Sequence, residues 1–330
     1  MMLLARNVWG GGVAKASLAL IACVAAVVMT PQPVRAQNSE TTVDEIIVTA
    51  RRSGAPMWEV TRGDSTVLLV GAIQAVPAGI EWRPDALEQA TRQAQRVYFP
   101  QRISASPADL FRVIWRSRTL TRMPEGKTSA DYLSPEWQAR LDALEATYDE
   151  DWSGDSFLIL SSELLSDRLG LRDRGNQEVG EVVRRAARRG RVPVTSIGSV
   201  RGDTVIDDLL TRPPETWVPC IEATIAAAEA GQPAVAARGQ AWTRFDVPAV
   251  MASPIEMAMS RCWPWSDPTL GTLLRGQWIS AVEGALREPG VTLAVAPLRV
   301  LAETGGVLDD LERRGFDIVG PDWRADQGED

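Results

Sequence analysis

Histidine, the commonest general base and a frequent metal ligand, does not occur in this sequence of 330 residues. No Ser-His-Asp or Cys-His arrangement is therefore possible. The sequence also lacks a G-x-S-x-G elbow, a P-loop and a G-x-G-x-x-G turn. Two facing carboxylates can catalyse hydrolysis without an imidazole. The adjacent pairs Asp207-Asp208 and Asp309-Asp310, however, lie in stretches that read as helix. Neighbours on a helix point in different directions, so solvated helix faces are the expectation for both pairs. Two loops remain. In "LLVGAIQAVPAG", residues 68–79, a buried strand runs into a turn whose first polar residue is Gln74. In "VAPLRV", residues 295–300, a similar strand runs into Arg299. An amide is a weak metal donor, and a guanidinium has no lone pair to donate.

The elements that must position these loops can be read from the hydrophobic pattern. "PMWEVTRGDSTVLLVGAI" reads as a hairpin that turns at Arg62-Gly63-Asp64. It is followed by a helix from Pro84 with Leu87, Ala90 and Ala94 on one face, and by the strand "RVYF". Near the C-terminus, the strand "GVTLAVAPLRV", the short helix "GGVLDDLERR" ending at Gly315, and the strand "FDIV" follow the same order. Laid over each other, residues 67–74 and 292–299 match in apolar pattern and in the position of the first polar side chain. Each loop is then expected at the C-terminal end of a buried strand, where open α/β sheets place ligands. The stretch between, about residues 104–287, reads as mostly helical. Ser106-Pro107 and Ser134-Pro135 open two of its helices. "VGEVVRRAARRG" is amphipathic and ends at Gly190, and "VPVTSI" reads as a further strand. Two more helices are expected at "PPETWVPCIEATIAAAEAG" and "GTLLRGQWISAVEGAL". "RGD" at Arg201 to Asp203 reads as a turn in which Asp203 caps the helix "TVIDDLL".

Composition narrows the setting. Residues 1–36 read as a signal peptide: Arg6 and Lys15 precede an apolar core, and "VRA" supplies a cleavage site before Gln37. Cys23 ends "LIAC", a loose lipoprotein signal, but the apolar run continues to Met29 and argues against lipid anchoring. No stable membrane span is expected after cleavage. An exported chain that keeps two cysteines, Cys220 and Cys262, is expected to join them, with two buried thiols as the alternative. No structural zinc site is expected from two thiols and no histidine, and no other cofactor is implied. The net charge of −8 and the absence of a basic, aromatic-rich patch argue against nucleic acid as a partner. Residues 37–55 read as a flexible arm around the β-prone run "DEIIVTAR". Residues 43–51 resemble the short box by which outer-membrane receptors engage TonB through strand addition, the alternative being a plain linker. Residues 324–330 read as an acidic tail.

From Met57 to Trp323 the sequence resembles the TraB/GumN family. "PMWEVTRGDSTVLLVGAIQAVP" resembles the family's opening strand and G-x-x-H loop. "LLRGQWISAVEGALREPGVTLAVAPLRVLAETGGVLDDLERRGFDIV" resembles its close, in which an arginine-bearing helix and a strand lead to a second G-x-x-H loop. The resemblance implies a divalent metal held by the two loop histidines and a glutamate that ends the next strand. It also implies hydrolase chemistry, as in animal members that are metal-dependent membrane proteases. In this chain the first loop keeps Gly71 but has Gln74 in place of histidine. The glutamate position after "RVYF" is Pro100. In the second loop Ala296 replaces glycine and Arg299 replaces histidine, while Arg275 on the preceding helix survives. A fixed cation at Arg299, about 4 Å from a divalent ion, would oppose binding by several kcal/mol at an effective dielectric near 20.

These readings predict an α/β fold: a central mixed sheet built from two related strand–loop–helix–strand units, with a large helical insertion between them and a family-like domain over 56–323. The expected protein is exported to the periplasm of a Gram-negative bacterium or secreted, has lost the family's metal-dependent site and acts in binding or interaction. The alternative is a periplasmic hydrolase or peptidase that uses non-family residues, such as carboxylates of the helical insertion. Gly71, Gln74, Arg275 and Arg299 are the ligand-site candidates. Arg275 and Arg299 together suit a carboxylate; in the competing reading Arg299 pairs with a nearby acid and the site has filled in.

Overall fold

A computed structural model describes residues 42–325, apart from residues 75, 78, 79, 81 and 172–177. The expected leader, Cys23, residues 37–41 and the last five residues of the acidic tail lie outside that range. At its start the chain differs from expectation. Residues 43–51 are not an extended arm but a helix, α1 (Val43–Arg51). Thr42 caps it by accepting from the Glu45 amide, and Asp44 and Glu45 sit in its positive first turn. Ile46, Ile47 and Ala50 are buried in the main core. The β-branched run obscured a helical spacing, because Ile46, Ile47 and Ala50 share one face at 3.6 residues per turn. Strand addition to TonB needs an exposed extended segment, so that reading loses its premise here.

The hairpin forms as expected. β1 (Met57–Arg62) and β2 (Ser65–Ala72) pair antiparallel with Arg62 opposite Ser65, and Gly63 takes a positive φ of 56° in the two-residue turn. Helix α2 (Pro84–Gln93) buries Leu87 and Ala90 against the sheet and leads into β3 (Arg96–Phe99). The insertion opens with β4 (Arg102–Ser104), followed by α3 (Pro107–Trp115), α4 (Ser117–Thr121), α5 (Pro135–Tyr148) and α6 (Phe157–Glu163). Ser106 and Ser134 cap α3 and α5 as the sequence indicates. Helix α7 (Val179–Gly190) ends at Gly190 as expected, with Arg191 as its C-cap at φ 56°, and β5 (Val194–Ser196) follows.

β6 (Ser199–Arg201) pairs with β4 in a small second sheet that the hydrophobic pattern did not announce. Three residues per strand, all exposed in β4, leave no alternation to read. Asp203 lies inside the first turn of α8 (Gly202–Thr211), and Arg201 occupies the cap position without a side-chain capping bond. The long α9 (Val218–Thr243) bends at Gly231, φ 60°, just before Pro233. After it come α10 (Val247–Met251), α11 (Pro254–Arg261) and α12 (Pro268–Ala285). The expected disulfide joins Cys220 on α9 to Cys262 at the end of α11. The chain closes with β7 (Gly290–Pro297), α13 (Leu298–Ala302), α14 (Val307–Arg313) and β8 (Ile318–Val319).

The fold is α/β, with a six-stranded sheet in the order β5-β3-β7-β2-β1-β8. β5, β3, β7 and β2 run parallel, and β1 runs antiparallel to both β2 and β8. β2 and β7 are buried almost throughout, as centre strands of a sheet covered on both faces must be. The insertion holds a separate apolar cluster around Trp152, Phe157, Leu160 and Ile221. No described helix is long and apolar enough to cross a membrane.

Candidate functional site

β2 and β7 lie side by side, and their register pairs Leu68 with Leu293, Gly71 with Ala296 and Ala72 with Pro297. That is the offset at which the two sequence strings superpose. Two residues past each strand end stand Gln74 and Arg299. On the other side of β7, Tyr98 of β3 pairs with Ala294, so Pro100 leaves the sheet at the same edge. Three adjacent parallel strands thus deliver Pro100, Arg299 and Gln74 to one place. All three line one cavity of about 240 Å³, together with Phe99, Met259 and Trp265.

The cavity's polar wall is built around a residue that the motif reading missed. Glu256 of α11 is 3% exposed and lies between two equally buried arginines, Arg238 of α9 and Arg299. Arg238 donates to Glu256 Oε1 from Nε (3.0 Å) and Nη2 (2.5 Å). Arg299 donates from Nη2 to Glu256 Oε2 (3.0 Å) and to the Glu256 backbone carbonyl. Arg238 Nη1 donates to the Gln74 carbonyl (2.9 Å), which ties the first loop to the same group. Burial by itself would raise the Glu256 pKa. The guanidiniums of Arg238 and Arg299 outweigh it and hold the carboxyl below its ordinary range. A signal was available in the sequence: "SPIEMAMS" and "PAVAARGQAW" each carry one charge in an apolar run. Buried charges require partners, but nothing in the spacing says which two would meet.

Arg275 and Gly71 do not line this cavity. Arg275 of α12 pairs with Glu303 at 2.8 Å, and the other Glu303 oxygen lies 3.8 Å from Arg299 Nη1. The result is a row of alternating charge, Arg238, Glu256, Arg299, Glu303 and Arg275, in which three cations face two anions. Gly71 serves packing. A Cβ there would sit 2.6 Å from Leu298 Cδ1 and 3.0 Å from Trp58 Cζ3. Its carbonyl accepts a hydrogen bond from the buried indole of Trp242 (2.8 Å). The glycine lets α13 start directly on top of β2.

The donor set does not fit a divalent metal. Pro100 has no side-chain donor, Arg299 brings a charge of the wrong sign, and both Glu256 oxygens are already engaged by guanidiniums, which leaves the Gln74 amide and the Glu178 carboxylate in a lining that also holds the cation of Arg184. Among the described residues no three histidine, cysteine, aspartate or glutamate side chains gather to hold an ion. The adjacent aspartates form no catalytic pair. Asp207 binds Arg112, while Asp208 accepts from Arg212 and from the Trp263 indole. Asp309 accepts from Trp323 and Arg324, and Asp310 pairs with Arg313. These contacts make the aspartates structural links as well as surface charges.

The model of the TraB/PrgY/gumN family matches residues 56–319, most of the chain. The chain belongs to that family. No curated protein and no solved structure matches it.

Proposed function

We propose that this member of the TraB/PrgY/gumN family has exchanged a metal centre for a buried arginine–glutamate network, and that it works as an exported binding or interaction protein instead of a hydrolase. The reading rests on one observation: at the meeting point of Gln74, Pro100 and Arg299, Glu256 is clamped by Arg238 and Arg299. A cation entering there meets two guanidiniums against the one carboxylate between them, a net charge of +1. That net charge opposes it by about 4 kcal/mol per unit charge at 4 Å and an effective dielectric of 20. Glu256 cannot readily take over catalysis, since a carboxylate held ionised is a poor general acid and a weak base.

A cavity of about 240 Å³ with Phe99, Met259 and Trp265 in its wall suits a single side chain or a small fragment. It falls below the roughly 300–1,000 Å³ of a site for a whole drug-sized ligand. Export, with the periplasm as destination, is read from the leader-like residues 1–36 and accords with the Cys220–Cys262 bond. Metal analysis of the purified chain after exposure to manganese or cobalt tests the proposal. No ion above background is expected, and one tightly held ion per chain would overturn it.

A further inference from the structure

Among the described residues, every large apolar side chain that is more than half exposed lies between positions 103 and 115. They are Ile103 (64%), Leu110 (61%), Phe111 (64%), Ile114 (63%) and Trp115 (77%). No other large apolar side chain described exceeds 49%. Four of the five sit on α3 as two i,i+4 pairs, Leu110 with Ile114 and Phe111 with Trp115, so they form one stripe. The Phe111 and Trp115 rings stack with centroids 5.9 Å apart. The helix is set by its own capping box, in which Ser106 and Asp109 satisfy each other's backbone amides.

The charge around the stripe runs against that of the whole chain. Residues 102–122 carry Arg102, Arg112, Arg116, Arg118 and Arg122 against the single acid Asp109, five cations less one anion, in a protein of net charge −8. Arg112 and Arg122 are paired with Asp207 and Asp155. Arg116 and Arg118 form no ion pair with any described residue. Arg118 and Arg122 also line a neighbouring cavity of about 320 Å³.

We infer that α3 and the arginines after it form a docking surface for a membrane with anionic headgroups. A short helix with aromatic residues on one face and arginines beside it lies in the interfacial plane, with the rings among the acyl chains and the guanidiniums at the phosphates. At nine residues α3 is far too short to span. A second copy of this chain fits poorly, because a two-fold contact sets the patch against itself and opposes positive charge with positive charge.

The test is cosedimentation of the full chain with vesicles of equal parts phosphatidylglycerol and phosphatidylcholine, and with vesicles of phosphatidylcholine alone. The parent is expected to bind the anionic vesicles and to release as salt is raised. F111S/W115S is expected to weaken binding at least about tenfold, and R116E/R118E by roughly fivefold or more per arginine. These side chains are exposed, so both variants should melt with the parent, which separates loss of binding from loss of fold. The inference is overturned if the parent ignores anionic vesicles, binds both kinds equally, or is matched in binding by the variants. It is also overturned if the patch instead drives self-association that F111S/W115S abolishes, or takes up an acidic protein while vesicles are ignored.

Discussion

β2 and β7 carry the same apolar pattern, pair residue for residue, and each ends two positions short of a polar side chain. Their continuations differ. After β7 the chain coils at once into α13, which carries Arg299 inward to 4% exposure against Glu256. After β2 it turns outward, the Gln74 side chain is exposed, and only its carbonyl joins the network. Register therefore sets where a residue leaves the sheet, while the neighbours waiting there decide what its side chain does. Beyond the leading strands the two units diverge: β3 returns beside β7, whereas the two-residue β8 lies at the far edge beside β1. Two positions that match by pattern can in this way end in different chemical settings.

The largest effect is expected where the comparison is most one-sided, at Glu256. Glu256→Ala leaves Arg238 and Arg299 buried without a counter-charge and should cost about 3–5 kcal/mol of unfolding free energy, measured by denaturant titration. The acid limb of the stability curve gives a second readout. The folded pKa of Glu256 is depressed, so its contribution is complete above the unfolded value of about 4.3 and is lost as pH falls through the folded value. Glu256→Gln should flatten the curve in that range, below about pH 4.3. An unchanged acid limb would mean that the carboxylate is not held by its arginines.

A smaller effect is expected at Gly71. Gly71→Ala drives a methyl against Leu298 and Trp58, and should destabilise by about 1–3 kcal/mol through overpacking. A neutral result would show that α13 does not sit closely on β2. The smallest effect belongs to Gln74, whose side chain makes no hydrogen bond with any described residue. Gln74→Ala should stay within about 0.5 kcal/mol of the parent in stability. A clear loss would place the side chain, and not just its carbonyl, in the network and narrow the contrast with Arg299.

Much of this arrangement was legible because it depends on local pattern. The hairpin, the serine-capped helices, the Cys220–Cys262 bond and the offset between residues 67–74 and 292–299 all derive from turn chemistry, alternation or residue type. The hidden part depends on distant partners. Arg299 gives no hint in sequence that its acid lies 43 positions earlier on α11. Arg238, one turn from an apolar helix end, gives none that it meets the carbonyl of Gln74. The α1 segment misled for another reason: β-branched residues favour strands on average, yet a well-capped helix with one apolar face buries them as well. The exposed stripe of α3 was read only as a helix, since its spacing says that one face is apolar and not whether the fold covers it.

The central claim is that the meeting point of these loops has given up metal for an internal ion network. Its most direct test is the metal content of the purified full chain after incubation with manganese or cobalt and removal of loosely held ions. The network predicts no ion above background in parent protein. One ion retained per chain, and lost when Glu256 is replaced by glutamine, would contradict it.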